Sequence, residues 1–267
     1  MKYEILFLVS TIFLTSCTDS RKDEIRGGGS CQAGIVGGNS IDDTDPFAKR
    51  VALLKSDDTT CTATVISPNV LLTAAHCVRG KLNLQVVFGA SGDCGANNVF
   101  TQTRKVVGTR VHENYNPQGF GTKDIGNVKN DIALVKIQGD LPAGVVISSI
   151  HDGRSRLDSD ELIAVGYGDD RENSKDAPRL RRVNKDYDSL RTTNSSQQLI
   201  LLQDNSGICT GDSGGPQFVR SQGQYQIFAV NSGVMGSNDQ DYCHRQAILM
   251  YAPYFAEWIS RTLRSLR

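Results

Sequence analysis

Over 267 residues, 29 basic side chains balance 29 acidic ones, so the formal net charge is zero and nothing global favours nucleic acid as a partner. A composition of 39% hydrophobic and 22% charged residues excludes a mostly disordered chain, and the length suffices for one large domain or two small ones. Twenty-six glycines against seven prolines suit tight turns between short strands better than a helix bundle. The chain opens on Met1-Lys2, followed by an apolar run from Ile5 to Leu14 broken only by Ser10 and Thr11. A membrane-spanning helix needs about 20 such residues. The run is therefore expected to be the core of a signal peptide covering residues 1–16.

Leu14-Thr15-Ser16-Cys17 resembles the lipobox of bacterial lipoproteins. That resemblance implies cleavage before Cys17, acylation of Cys17 and a membrane anchor, since several acyl chains hold far more firmly than one. Thr18 in place of an acid implies the outer membrane of a two-membrane bacterium. An ordinary secretory signal with an incidental cysteine, and hence a secreted protein, is the alternative reading. Thr18 to Ser30 is polar and closes on Gly-Gly-Gly-Ser, so residues 17–34 read as a flexible tether and pro-segment.

Short β-rich runs follow at Val51–Leu54, Thr62–Ile66, Leu82–Phe88, Ile132–Ile137, Leu162–Gly166, Gln198–Leu202 and Tyr225–Val230. Gly, Asn, Asp and Ser turns separate them, which is the pattern of an all-β barrel or sandwich. Asp169 to Asp176 reads as a solvated loop. From Pro253 to Arg267, Phe255, Trp258, Ile259, Leu263 and Leu266 recur at helical spacing, and arginines crowd the last turns where cations complement the helix dipole. This segment predicts a closing helix packed on the preceding strands.

Three local sequences carry chemistry. Thr73-Ala74-Ala75-His76-Cys77 follows a strand-like Val70-Leu71-Leu72, Asn130-Asp131-Ile132-Ala133-Leu134 sets an acid before a strand, and Gly211-Asp212-Ser213-Gly214-Gly215-Pro216 sets a serine among glycines. Taken singly, His76 could be structural and Asp131 a turn acid. Together they supply what acyl transfer needs: a serine hydroxyl, an imidazole to take its proton, and a carboxylate to fix the imidazole's tautomer.

In order and spacing, these boxes together with Ile35-Val36-Gly37-Gly38 resemble the chymotrypsin-like (trypsin-family) serine peptidases over roughly Ile35 to Ile259. The resemblance implies an all-β fold of two antiparallel six-stranded β-barrels with a C-terminal helix. The barrels would cover about residues 35–145 and 146–252, with the helix at 253–267. It implies Ser213 as nucleophile, His76 as general base and then acid, Asp131 as the carboxylate orienting it, and the amides of Gly211 and Ser213 as the oxyanion hole. It also implies a zymogen latch, in which cleavage before Ile35 frees an ammonium that pairs with Asp212. Gly34 precedes that bond, so the activating protease is expected to accept small residues or to be the protein itself, and activity without cleavage remains the alternative. The specificity pocket is expected to be neutral, built from Gly207, Ile208, Asn231, Ser232 and Gly233 with a residue near Ala247, and to favour small or medium apolar side chains. A rearranged loop bringing Asp204 into the pocket is the other reading.

The resemblance also pairs Cys61 with Cys77 and Cys209 with Cys243. With Cys17 acylated, Cys31 and Cys94 remain of the seven cysteines, and they are expected to pair with each other rather than stay free in an oxidising compartment. No metal site and no cofactor are expected: His112, His151 and His244 lack ligand spacing, and Ala90 to Arg104 offers only Asp93 to a calcium ion. The expected partners are protein or peptide substrates, an activating protease and a membrane, for a monomer that binds no nucleic acid. A catalytically silent binding module on the same fold and an esterase are the competing functions.

Overall fold

The computed structural model describes residues 35–90, 102–120, 125–171, 178–236 and 242–266. Cys17, Cys31, Cys94 and Asp93 lie outside these residues, as do the signal peptide and tether. Six strands close a barrel: β2 (Val51–Lys55), β3 (Thr60–Ser67), β4 (Val70–Thr73), β5 (Gln85–Phe88), β6 (Gln102–Val111) and β7 (Ala133–Ile137), in the order β2-β3-β4-β7-β6-β5. All pairs are antiparallel. The sequence reading of short strands holds here, but β6 escapes it. Its Gln102–Val111 run has no buried residue, so no apolar alternation marks it.

The second sheet holds β1 (Asn39–Ser40), β8 (Glu161–Gly166), β9 (Arg181–Asp186), β10 (Leu190–Thr192), β11 (Gln198–Leu202), β12 (Pro216–Ser221), β13 (Gln224–Met235) and β14 (Gln246–Tyr251). Its order is β1-β9-β8-β12-β13-β14-β11-β10, eight strands with two free ends rather than the closed six-stranded barrel the resemblance implies. The reason is a single bent segment. β9 pairs with β8, a 3-10 turn at Tyr187–Ser189 interrupts the ladder, and β10 then pairs with β11. Chain connectivity between β9 and β10 completes the ring that hydrogen bonds leave open. β1 adds a short outer edge on β9.

Among the described residues, three large apolar clusters follow from this layout, beside a small one of Val36, Cys209 and Cys243. One fills the closed barrel around Leu54, Val65, Leu71 and Val135. A second fills the eight-stranded sheet around Ile35, Leu162, Leu201 and Phe228. The third joins the two, with Phe47, Val51, Leu72 and Ile132 from the first half against Val165, Phe218, Ile227 and Val230 from the second. The Phe47 ring packs 4.6 Å from that of Tyr225 and 5.4 Å from that of Phe218.

Helix α1 (Ala256–Leu266) ends the described chain, preceded by a 3-10 turn at Ala252–Phe255 with Pro253 near its start. Trp258, Ile259 and Leu266 are buried as the helical stripe predicted, in the cluster that joins the halves. Trp258 Nε1 donates to Glu113 Oε2 at 2.7 Å, tying the helix to the turn after β6. The first half thus carries the C-terminal helix while the second half takes the N-terminal strand. No helix among the described residues is long and apolar enough to cross a membrane.

Candidate active site

His76 sits on a one-turn 3-10 helix, Ala75–Cys77, directly after β4. Asp131 stands just before β7, entered through Asn130, whose φ of 51° is left-handed. That strained turn is held from the other half of the molecule. Gln197 Oε1 accepts the Asn130 N–H at 2.7 Å, and Gln198 Nε2 donates to the Val128 carbonyl. Asn130 Nδ2 in turn donates to the Asn114 carbonyl at 2.8 Å. The outcome is a fully buried Asp131 carboxylate with three donors. His76 N–H reaches Oδ1 at 2.9 Å, while His76 Nδ1 at 2.8 Å and the Ser232 hydroxyl at 2.6 Å reach Oδ2.

Ser232 reaches Asp131 because β13 carries a bulge there. The register against β14 slips between Asn231 and Gly233, leaving Ser232 as the extra residue. Bulges re-aim side chains, and here a hydroxyl is sent 101 residues back along the chain.

The loop bearing Ser213 is gripped by Thr62 of β3. Thr62 N–H donates to the Ser213 carbonyl at 2.8 Å, and its hydroxyl donates to the Gly211 carbonyl at 3.1 Å. The glycines are required: Gly211 has φ 94°, and a Cβ there would lie 2.8 Å from Gly168 Cα. Gly214 has φ 79°, and a Cβ would fall 2.0 Å from Thr73 Oγ1. His76, Gly211, Ser213, Ser232 and Gly233 line one cleft of about 470 Å³. The Phe120 ring borders it, 4.8 Å from the His76 ring.

The carboxyl of Asp212 is fully buried and points away from the cleft. Its partners among the described residues are two backbone amides, Gly168 N–H at 2.8 Å and Cys209 N–H at 2.9 Å. Burial pushes its pKa up to about 7 against the pull of those two bonds. Ile35 is fully buried in the core of the second sheet beside Ile208, and the Gly207 N–H donates to the Val36 carbonyl at 3.0 Å. Ile35 and Val36 therefore run against the segment that leads to Asp212.

Of the residues expected to form the specificity pocket, Ile208, Ser232 and Gly233 line the cleft, joined by Thr210, Val234 and Tyr242. Among the described residues, the cleft is lined by no Asp, Glu, Lys or Arg. Behind Gly207, a Cβ would fall 2.2 Å from Gln203 Oε1, so a neutral amide fills the space where a side chain at 207 would go. Gln203 is fully buried and satisfied. It donates to the Ile208 and Cys243 carbonyls at 3.1 and 3.0 Å and accepts the Ile208 N–H at 2.6 Å. Asp204 is exposed on a turn with φ 47°. Ala247 lies across from Val234 with its side chain in the core, and Asn231 lies behind the Ser213 loop rather than in the cleft wall. Phe120 and Thr62 have no local sequence signal, since each acts through a neighbour distant in the chain.

Disulfides join Cys61 to Cys77 and Cys209 to Cys243. Cys61, His76 and Cys77 cluster as metal ligands would, but both sulfurs are spent in the disulfide and a thiolate is what binds metal. The Cys61–Cys77 bridge spans 16 residues and braces the His76 turn. Replacing both cysteines by alanine is expected to cost about 3 kcal/mol, on the order of 10 °C in Tm, measurable by calorimetry.

The trypsin family profile matches residues 35–259. The chain belongs to the trypsin family. It is a serine endopeptidase, a hydrolase. This trypsin-family chain is 30% identical over 245 residues to serine protease SP24D of Anopheles gambiae, covering 87% of the chain and 82% of that relative. It is 29% identical to neutrophil elastase of Mus musculus, over 77% of the chain and 74% of the relative. Against trypsin-1 of Astacus astacus the identity is 25%, over 74% and 86%.

Proposed function

We propose that this endopeptidase works through a triad of Ser213, His76 and Asp131 and is made as an exported zymogen, lipid-anchored at Cys17, that cleavage before Ile35 activates. The observation carrying this reading is the Asp131–His76 Nδ1 contact of 2.8 Å at the edge of the cleft that Ser213 and Gly211 line. A carboxylate accepts only, so Nδ1 carries the proton and Nε2 is left free as the base. Nε2 takes the Ser213 hydroxyl proton as Oγ attacks the scissile carbonyl. The developing oxyanion is received by the N–H groups of Gly211 and Ser213. The C–N bond then breaks, the imidazolium returns its proton to the leaving amine, and water hydrolyses the acyl-enzyme by the same steps.

Among the described residues the lining carries no acid or Lys/Arg; narrowed by Ile208 and Val234 and backed by Gln203, it supports a preference for small or medium apolar side chains on the acyl side of the bond. An unpaired buried acid would be costly, and none is present among these residues. In the oxidising envelope, Cys31 and Cys94 would form a third bridge that keeps the anchor attached after cleavage.

The test is labelling by a fluorophosphonate before and after cleavage of the Gly34–Ile35 bond, with Ser213→Ala as control. A panel of matched peptide amides and esters, varied on the acyl side, is run alongside. Labelling that appears after cleavage and vanishes in the variant supports the reading. Equal labelling before cleavage removes the zymogen, and none at all on a confirmed Ile35 terminus returns the silent binding module.

A further inference from the structure

An oxyanion hole needs two N–H groups aimed at one point, and a peptide N–H points wherever the plane of its own peptide is set. That plane is controlled from its other end, by whatever holds the carbonyl. The Gly211 N–H shares its peptide with the Thr210 carbonyl, which accepts the backbone N–H of Asp169 at 2.7 Å. The Ser213 N–H shares its peptide with the Asp212 carbonyl, which accepts both the Gly215 backbone N–H at 3.0 Å and Asn231 Nδ2 at 3.0 Å. The first clamp is main chain. The second joins a main-chain donor to a side chain, and the side chain can be changed.

Asn231 is fully buried on β13 at the edge of the bulge that sends Ser232 to Asp131. Its amide is fixed in one sense. Asp212 O can only accept, so Nδ2 faces it, and Oδ1 faces the Gln217 Nε2 that donates to it at 2.8 Å. Gln217 is itself fully buried, and its Oε1 meets no donor among the described residues. A buried acceptor left unpaired is unfavourable, and strand positions that needed only filling are better served by apolar side chains. The pair Gln217–Asn231 therefore has a polar task, and the Asp212 carbonyl is where it ends.

We infer that Asn231 is a positioning residue for the oxyanion hole, joining the Gly215 N–H in fixing the plane of the peptide between Asp212 and Ser213 and polarising it further so that the Ser213 N–H is a stronger donor. Hydrogen bonding at a peptide oxygen shifts charge toward that oxygen and leaves the N–H of the same peptide more positive. This inference rests on Ser213 being the nucleophile. It takes Asn231 out of the specificity pocket, where the resemblance would place it, and gives it a role in the chemical step.

The test uses the full chain cleaved before Ile35, with rates normalised to sites titrated by a fluorophosphonate, so that misfolded molecules do not count. Asn231→Val removes the donor and keeps a side chain suited to a strand. Expected is a fall in kcat on a peptide amide of about 10-fold or more, with KM within twofold of wild type. The affinity for a peptidyl boronate, which forms a tetrahedral anion on serine, should weaken by the same factor as kcat/KM. Gln217→Leu, which frees the Asn231 amide, should move both readouts in the same direction by less, and it carries the test alone if Asn231→Val does not fold. A raised KM at unchanged kcat would return Asn231 to the pocket and overturn the inference. So would kcat and boronate affinity both within twofold of wild type. A wild-type chain unlabelled after cleavage overturns instead the reading of Ser213 on which this depends.

Discussion

Asp131→Asn is expected to lower kcat by about four orders of magnitude while leaving the fold intact. The geometry says why. The two oxygens of Asp131 are not equivalent: Oδ1 accepts a backbone N–H, that of His76, at 2.9 Å, and a backbone donor cannot turn away. The asparagine must keep its remaining oxygen there, which puts Nδ2 where Oδ2 now meets His76 Nδ1 and the Ser232 hydroxyl. An N–H facing Nδ1 requires Nδ1 to be the acceptor. The imidazole then carries its proton on Nε2 and cannot take one from Ser213. The change is isosteric, and the Ser232 hydroxyl can rotate to accept, so Tm should move little. Steady-state kinetics on a peptide amide, with Tm measured beside them, check both halves. A loss smaller than tenfold with the fold retained would remove Asp131 from its proposed role.

Asp212 should give the uncut chain a dependence on pH that cleavage removes. In the uncut chain burial raises its carboxyl from 3.8 to about 7, so between those values the unfolded chain has released a proton that the folded chain still holds. The unfolded state then binds fewer protons, and stability falls as pH rises. Across the window the loss amounts to about 4 kcal/mol at roughly 1.4 kcal/mol per unit. A new Ile35 ammonium beside the carboxylate would favour the charged form, pull the pKa down and abolish the loss. The cleaved chain should therefore melt increasingly above the uncut chain as pH is raised from 5 to 7.5. Asp212→Asn should flatten the uncut curve. In the cleaved chain it should lower kcat/KM by about 10²–10³-fold, the scale of a damaged oxyanion hole. Parallel melting curves for the cut and uncut chains would sink the latch.

Much of this was legible without coordinates because it is written locally. A histidine after an apolar strand, an acid before one, and a serine between glycines are short strings, and short strings survive as signals. The strands of the closed barrel with a buried face, β2, β3, β4, β5 and β7, show as apolar runs, and α1 shows as a stripe. β9 and β6 do not. The sequence of β9, Arg-Arg-Val-Asn-Lys-Asp, buries only Val183, and β6 has no buried residue, so their strand character comes from the ladders beside them rather than from their own pattern.

Tertiary structure alone decided how the second ring closes, through a kink between β9 and β10 that no residue type announces. It also decided which side chains complete the site. Thr62 reaches Gly211 across 149 residues, Gln197 reaches Asn130 across 67, and Asn231 reaches Asp212 from behind a bulge. Periodicity tells which face of a strand is buried, and motifs tell which chemistry is present. Neither names the neighbour against which a buried polar atom will be satisfied, because that neighbour is chosen by how two sheets pack. The identity of the reacting groups is thus a property of the sequence, and their aim is a property of the fold.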